Sequence, residues 1–312
     1  MTTNLGLTSK PTFGGHEKFV FRDGWIKKGV DAVLAEPGIF SDDQALVVLG
    51  VGKNMVRSIR HWCLATGVCE ENDAPDRKRS LGVSMFGRQL IVDGGWDPFL
   101  EDHGTLWLLH WQLTENLQRS LAWHLIFARF YDIEFTKLQL GLYLAKQFER
   151  IGVATTSGMI MREIDCFVRT YVPTRTNSGK INEETLDCPL TELDLIRFVA
   201  QDNVYRFNTG AKPTLPDAVF AYALLHYLDR IAQHRRTVAV DECVYGEGSP
   251  GQVFRMDENS VVERLEKLAE LTDGRIRLQE SAGLNQLYIS TDQSGLLRDA
   301  AGRLLEDYYA RN

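Results

Sequence analysis

Long hydrophobic runs are missing from this sequence of 312 residues. No apolar stretch approaches the roughly 18 residues that a membrane-spanning helix needs. The N-terminal segment MTTNLGLTSK has neither the basic nor the apolar part of an export signal. The sequence therefore argues against a helical membrane protein and predicts a cytoplasmic one.

Cysteine is scarce as well. The 5 cysteines are scattered along the chain, at Cys63, Cys69, Cys166, Cys188 and Cys243. There is no Cys-x-x-Cys pair and no paired histidine spacing, which disfavours both a disulfide framework and a zinc site. Reduced thiols in a cytoplasm fit this pattern better.

Positive charge is also in short supply, with 35 Lys and Arg against 42 Asp and Glu and a net charge of -7. This balance argues against a protein that coats nucleic acid over its whole surface, but it allows one basic face. A hydrophobic fraction of 44% and a charged fraction of 25% are ordinary for a globular protein, and the length allows two or three domains.

Helical patterns dominate what is present. A first helix is predicted with Asp23 as its N-cap. Residues 41–67 then predict a short helix, a glycine-containing turn and a second helix over 53–65. Strand-like pieces around Gly82 and Gly87 follow. A helix–turn–helix followed by a hairpin is the order of a winged helix.

The fold class predicted for the whole chain is mainly α with small β-hairpins, with winged-helix-like modules around a helical middle region. We predict a winged-helix-like DNA-binding domain over 1–95, a helical middle domain over 96–180, and a C-terminal helical or winged-helix-like domain over 181–312. The polar segment 174–183 is predicted to be a loop near the second boundary.

The helix over 53–65 is the clearest local signal. At about 100° per residue, one side is apolar and the other carries three cations and two hydrogen-bonding side chains without a carboxylate. These residues are Lys53, Asn54, Arg57, Arg60 and His61. Such a face suits phosphates and base edges. A solvated helix face is the alternative, but it usually carries both signs of charge.

A second basic stretch, residues 18–28, places cations among aromatic residues. The cations are Lys18, Arg22, Lys27 and Lys28. They could clamp phosphates while Phe19 stacks on bases. The alternative is an amphipathic helix with a basic rim. Phe21 and Trp25 could also stack on unpaired bases, but we predict that they pack.

Three histidines lie in a middle region rich in Trp and Leu: His103, His110 and His124. Their spacing separates them by two and four helical turns and does not give a compact i, i+4 pair. We therefore predict that they are core or interface residues and not metal ligands.

Four ordered motifs carry a resemblance to a known family: HEKFVFRDGWIKKGVDAV, LGVGKNMVRSIRHWC, LDCPLTEL and SPGQVFRMDE. Together they resemble the SspB family, a former domain-of-unknown-function family, over nearly the whole chain. The family is the DNA-nicking component of bacterial single-strand phosphorothioate DNA modification and the associated phage defence. The resemblance implies a cytoplasmic protein that binds double-stranded DNA and works with a cysteine desulfurase and a sulfur-activating enzyme.

Nicking requires stabilisation of charge at the phosphate and either an activated water or a protein nucleophile. His16 offers a general acid or base, and Glu17 offers a base or a ligand for a divalent metal, Mg or Mn. The alternative is a loop pair that only caps or pairs locally. The sequence shows no recognisable nuclease signature and assigns no metal ligands. A non-catalytic DNA-binding adaptor that recruits the sulfur-transfer enzymes is therefore the alternative function.

Overall fold

The structure is a computed structural model that describes residues 10–72, 80–174, 187–232, 235–281, 284–290 and 296–311. The predicted loop at 174–183 falls almost entirely outside these residues. Contacts divide the chain into two compact units, one of residues 1–126 with 132–207 and one of residues 127–131 with 208–312. The finer division into three domains stays a prediction.

The first unit is mainly helical, with two small antiparallel sheets. Its helices are α1 (Trp25–Ala35), α2 (Ala45–Leu49), α3 (Lys53–Ala65), α4 (Met85–Ile91), α5 (His103–Glu115), α6 (Leu121–Arg129, whose last turn falls in the second unit), α7 (Lys137–Arg150) and α8 (Ser157–Tyr171). Its strands are β1 (Cys69–Glu71), β2 (Leu81–Val83), β3 (Glu134–Phe135), β4 (Ile196–Val199) and β5 (Val204–Phe207). Strands β1 and β2 form one sheet, and the other has the order β3-β5-β4.

The second unit combines helices with one antiparallel sheet of order β6-β8-β7. Its helices are α9 (Asp217–Ile231), α10 (Val240–Tyr245), α11 (Pro250–Val253), α12 (Glu258–Glu266), α13 (Leu268–Leu271) and α14 (Leu296–Arg311). Its strands are β6 (Thr237–Ala239), β7 (Ile276–Ser281) and β8 (Leu284–Ile289). The predicted fold class of a mainly helical protein with small hairpins is confirmed, while the winged-helix assignment stays a prediction.

The helices near the N-terminus test the sequence patterns most directly. Helix α3 has the predicted bounds. Helix α1 begins at Trp25, but its N-cap is Gly24, in a left-handed conformation and without a side-chain cap bond. The prediction that Asp23 is the N-cap is wrong, because the chain enters the helix one residue later.

The predicted hairpin is confirmed at Gly82, which lies in β2 opposite Glu70 of β1. At Gly87 the strand prediction is wrong, because this residue lies inside α4. The hydroxyl of Ser84 accepts a hydrogen bond from the Gly87 N–H at 2.9 Å and so caps the helix immediately after the strand.

The core of the first unit lies around α5, which is buried on nearly all sides. His110 Nδ1 lies 2.8 Å from the Tyr171 hydroxyl, and His124 Nδ1 lies 2.8 Å from the Thr114 carbonyl oxygen. Both histidines are buried, as predicted, whereas His103 is half exposed beside Glu192. None of the described helices is long and apolar enough to span a membrane.

Candidate nucleic-acid interface

The segment at residues 14–19 crosses between α3 and α8 and is fixed by its last residue. The Phe19 carbonyl oxygen accepts hydrogen bonds from Ser58 Oγ at 3.2 Å and from Trp62 Nε1 at 2.9 Å, both on α3. The Cys166 thiol of α8 lies 3.8 Å from the same oxygen. One backbone oxygen thus ties the segment to both helices.

Helix α8 holds the other end of this segment through Glu163. The carboxylate Oε1 accepts the Gly14 N–H at 2.6 Å and lies 3.2 Å from His16 Nε2. Arg169 Nη1, two turns further along, donates to the Lys18 carbonyl oxygen at 3.1 Å. The loop that carries His16 and Glu17 is therefore built on α8, a helix distant in sequence.

The backbone of this loop is strained at two consecutive positions. Glu17 has φ 47° and Lys18 has φ 68°, the left-handed region that side chains other than Gly and Asn avoid. Each such residue costs on the order of 1 kcal/mol or more and persists only where its surroundings impose it. The contacts of Gly14, Lys18 and Phe19 supply that constraint. Strain of this kind clusters at functional sites.

His16 is 1% exposed, and both of its ring nitrogens have partners. Burial by itself would lower the pKa of this imidazole, but Cys166 and Glu163 beside it raise the pKa to about 10. The Lys18 N–H, 3.1 Å from Nδ1, favours a lone pair there and opposes this shift. The Glu163 carboxylate, 3.2 Å from Nε2, favours the cation.

The pKa of His61 is shifted in the other direction. Burial, followed by the charges of His16, Arg119 and Arg60, lowers its pKa well below the ordinary value. Its Nε2 has no hydrogen-bond partner among the described residues. The prediction that His61 lies on the polar face of α3 is wrong as to position, because residue 15 of the loop covers it. A Cβ at Gly15 would lie 2.6 Å from His61 Nδ1, so any larger residue would force the imidazole or the loop to shift.

The remaining predicted residues of α3 reach the surface. Lys53, Asn54 and Arg57 are exposed, and Arg60 is partly exposed. Arg57 Nη1 lies 3.2 Å from Glu17 Oε1, so the strained loop and the basic helix meet at this ion pair. An open groove of about 630 Å³ lies beside the start of α3. Its lining has no acidic residue: Phe19, Leu46, Gly50, Val51, Gly52, Lys53, Asn54 and Met55.

Arg60 shares a carboxylate with an arginine that the sequence patterns did not indicate. Arg60 Nη2 lies 2.9 Å from Glu71 Oε1, and Arg119 Nη2 lies 2.7 Å from Glu71 Oε2. Burial would raise the pKa of Glu71, but the two arginines lower it. Glu71 is therefore an anion between two cations at the edge of α3.

The cations of residues 18–28 are divided by the structure. Lys18 and Lys28 are exposed. The Arg22 guanidinium is buried over the rings of Phe19 and Trp25. Lys27 is buried too, with its ammonium 2.6 Å from Asp31 and 2.7 Å from Asp93. This arrangement presents neither Arg22 nor Lys27 to a partner. Phe21 and Trp25 are buried and pack, as predicted.

The carboxylates, imidazoles and thiols of the described residues are too dispersed to form a metal-binding cluster. No group of three or more could hold a metal ion. Two carboxylates beside α3 pair with cations: Glu17 with Arg57, and Glu71 with Arg60 and Arg119. The described residues thus do not form a protein-only metal site.

Sequence reasoning missed Glu163, Arg169, Glu71 and Arg119. The sequence of α8 carries charges of both signs, which is typical of a solvated face and gives no sign of a contact. Glu163 is nevertheless 3% exposed and contacts a loop 147 residues away. A glutamate at a buried helical position, beside Ile160 and Ile164, was the one local signal.

Comparison with known proteins gives two results. The family described as "Protein of unknown function (DUF4007)" matches residues 13–309. Two solved structures, described as "Magnesium ion-bound SspB crystal structure" and "SspB crystal structure", are each 30% identical to this chain with a TM-score of 0.85. Each match covers 96% of this chain and 88% of the solved one. No curated protein matches. The resemblance to SspB is thus confirmed, and the chain belongs to the DUF4007 family.

Proposed function

We propose that this chain binds double-stranded DNA through the exposed face of α3 and nicks it in a bacterial phosphorothioate modification system. One observation carries the DNA-binding part. Every charged side chain of α3 is cationic, and Lys53, Asn54 and Arg57 are all exposed on it. Cations and an amide on one helix face are what phosphates and base edges require.

The order of elements supports the same surface. Helices α1, α2 and α3 are followed by the paired strands β1 and β2. This is the order of a winged helix, and in helix–turn–helix proteins the helix after the turn enters the major groove. Helix α3 spans 13 residues, or about 20 Å, which is long enough to lie in that groove.

The ion pairs on this face do not prevent DNA binding. Arg57–Glu17 and Arg60–Glu71 are surface pairs, and such pairs contribute at most about 1 kcal/mol each. A DNA phosphate offers the arginines a stronger anion, with release of counterions as a further driving force. We therefore expect phosphates to replace the carboxylates.

The nicking part rests on the relation to SspB and on the loop that carries Glu17. In this proposal Glu17, released when Arg57 moves to a phosphate, accepts a proton from water as the water oxygen bonds to phosphorus. The P–O bond to one deoxyribose oxygen breaks, and that oxygen takes a proton from solvent. Arg57 and the exposed Lys18 stabilise the charge on the phosphate. His16 is buried and acts as a positioning residue, because it holds the strained turn that presents Glu17.

Whether nicking depends on a divalent metal, Mg or Mn, is a question for the assay. The described residues do not fit a protein-only site, and the roles of Glu17, Arg57 and Lys18 do not require a metal. One solved SspB structure is described as magnesium ion-bound, which supports including the metal in the assay.

A second function is favoured by the burial of His16 and by the lack of a ligand cluster among the described residues. It is a non-catalytic adaptor that binds DNA and recruits the sulfur-transfer enzymes. In either case the family relation points to a cysteine desulfurase and a sulfur-activating enzyme as partners in a cytoplasm.

Incubation with supercoiled plasmid separates the two functions. We expect open-circular product in Mg²⁺ or Mn²⁺, and an EDTA control shows whether a divalent metal is required. Glu17→Gln should abolish the product but retain DNA binding, whereas Glu70→Gln, a nearby exposed control, should leave both unchanged. DNA binding without nicking under every condition would reject the nuclease in favour of the adaptor.

A further inference from the structure

Two arginines from different parts of the first unit converge on one carboxylate. Arg60 comes from α3, and Arg119 comes from the turn before α6. They approach opposite oxygens of Glu71, at 2.9 Å and 2.7 Å. Guanidinium groups bind carboxylates and phosphates with the same planar set of donors. The geometry around Glu71 therefore also suits a phosphate.

Arg119 is held in this position without help from Glu71. The Arg119 backbone N–H donates to Asn116 Oδ1 at 3.1 Å. Asn116 Nδ2 in turn donates to the carbonyl oxygens of Leu64 and Ala65 at the end of α3. Arg119 Nη1 also lies 3.4 Å from Thr12 Oγ1. Helix α3 thus fixes the Arg119 turn relative to Arg60.

The carboxylate is the more exposed partner. The side chain of Glu71 is 50% exposed, against 16% for Arg119 and 26% for Arg60. Glu71 stands on a two-stranded sheet, at the last residue of β1. When Glu71 rotates towards solvent, Arg119 keeps its contact with Thr12. Two cations and one anion also leave a net positive charge at this point.

We propose that Arg60 and Arg119 form a clamp for one phosphate of the DNA backbone, and that Glu71 occupies the clamp until DNA displaces it. The clamp rests on the proposed DNA binding by α3 and extends it beyond that helix. It adds Arg119, which no sequence pattern indicated, to the contact surface. It also makes Glu71 a competitor that weakens DNA binding.

The chain offers a matched control for Glu71. Its neighbour Glu70 is exposed on the same strand and forms no ion pair among the described residues. Glu70→Gln and Glu71→Gln remove the same charge one residue apart. An effect of overall charge would appear equally in both variants, whereas release of the clamp would appear only in Glu71→Gln.

The experiment is titration of a short fluorescent duplex by anisotropy, from about 50 to about 200 mM NaCl. We expect Glu71→Gln to bind about two- to fivefold more tightly than Glu70→Gln, since a surface pair no longer competes. Arg119→Ala should lower the salt slope by about 0.9, the share of one phosphate contact. In the Arg119→Ala background, Glu71→Gln should have a smaller effect.

Equal affinities of the two glutamine variants, or an unchanged slope in Arg119→Ala, would overturn the clamp. Thermal unfolding monitored by circular dichroism checks that each variant is folded. If Arg119→Ala does not fold, Arg119→Lys replaces it as the milder substitution. If the clamp tests fail but the double variant Lys53→Ala, Arg57→Ala still weakens DNA binding, only the clamp is rejected and DNA binding by α3 stands. If neither the wild type nor Glu71→Gln binds DNA, the proposed function fails and the clamp with it.

Discussion

The ring centroids of His16 and His61 lie 5.7 Å apart, but the pKa of His16 is raised and that of His61 is lowered. The difference follows from their neighbours. Glu163 balances a charge on His16, while His61 is surrounded by His16 and two arginines. Because His16 and His61 lie side by side in the interior under α3, we expect substitution of either residue to change the stability of the protein.

The raised pKa of His16 predicts a pH dependence of stability. A pKa raised from 6.5 to about 10 means that the native state holds this proton more tightly than the unfolded chain. The contribution is fully present below pH 6.5 and is lost as the pH rises through about 10. The loss is at most about 1.4 kcal/mol per pH unit, the limit for one proton.

Urea unfolding of the wild type and of His16→Gln across this pH range measures the effect. The free energy of unfolding of the wild type should approach that of the variant as the pH rises. Parallel curves would show that His16 is neutral in the native state and that the Lys18 N–H decides its protonation.

Sequence alone identified His16 and Glu17 as a candidate pair but could not find what holds them. Glu163 lies 147 residues away from His16, and no local pattern encodes a contact at that distance. Lys27 was predicted to be exposed but is buried. Its partner Asp93 lies far along the chain, so the helical pattern could not indicate this ion pair.

At the scale of elements, periodicity predicted the bounds of α3 because its apolar side packs in the core. It misplaced His61 because a helical projection does not show that a loop covers one part of the polar side. The strand prediction at Gly87 failed for a local reason, since Ser84 caps a helix there and ends the hairpin.

The packing of α1 against α3 gives a prediction at this scale. A Cβ at Gly29 would lie 2.4 Å from Cys63 Sγ and 3.0 Å from Ile59 Cγ2. Gly29→Ala should therefore lower the free energy of unfolding by about 1–3 kcal/mol through overpacking, although alanine is the better helix former by about 1 kcal/mol.

Gly158→Ala in α8 is the control, because a Cβ there meets nothing within 4 Å. Chemical denaturation should show this variant equal to or more stable than the wild type. A Gly29→Ala protein as stable as Gly158→Ala would show that α1 and α3 are packed less closely than described here.

At the scale of the whole molecule, a net charge of -7 and a basic helix face are compatible because the cations are concentrated locally. Composition predicted that much, and the motifs predicted the family. The division into two units and the sheet order β6-β8-β7 were not predictable, because they depend on contacts between distant segments.

The salt dependence of DNA binding tests the central claim most directly. Lys53→Ala with Arg57→Ala removes two cations from α3, and Lys146→Ala with Arg150→Ala removes two exposed cations from α7 as a matched control. We expect the α3 pair to lower the salt slope by about 2, at roughly 0.9 for each phosphate contact, and the α7 pair to leave it unchanged. Equal slopes in the wild type and both double variants would contradict the assignment of α3 as the DNA-binding surface.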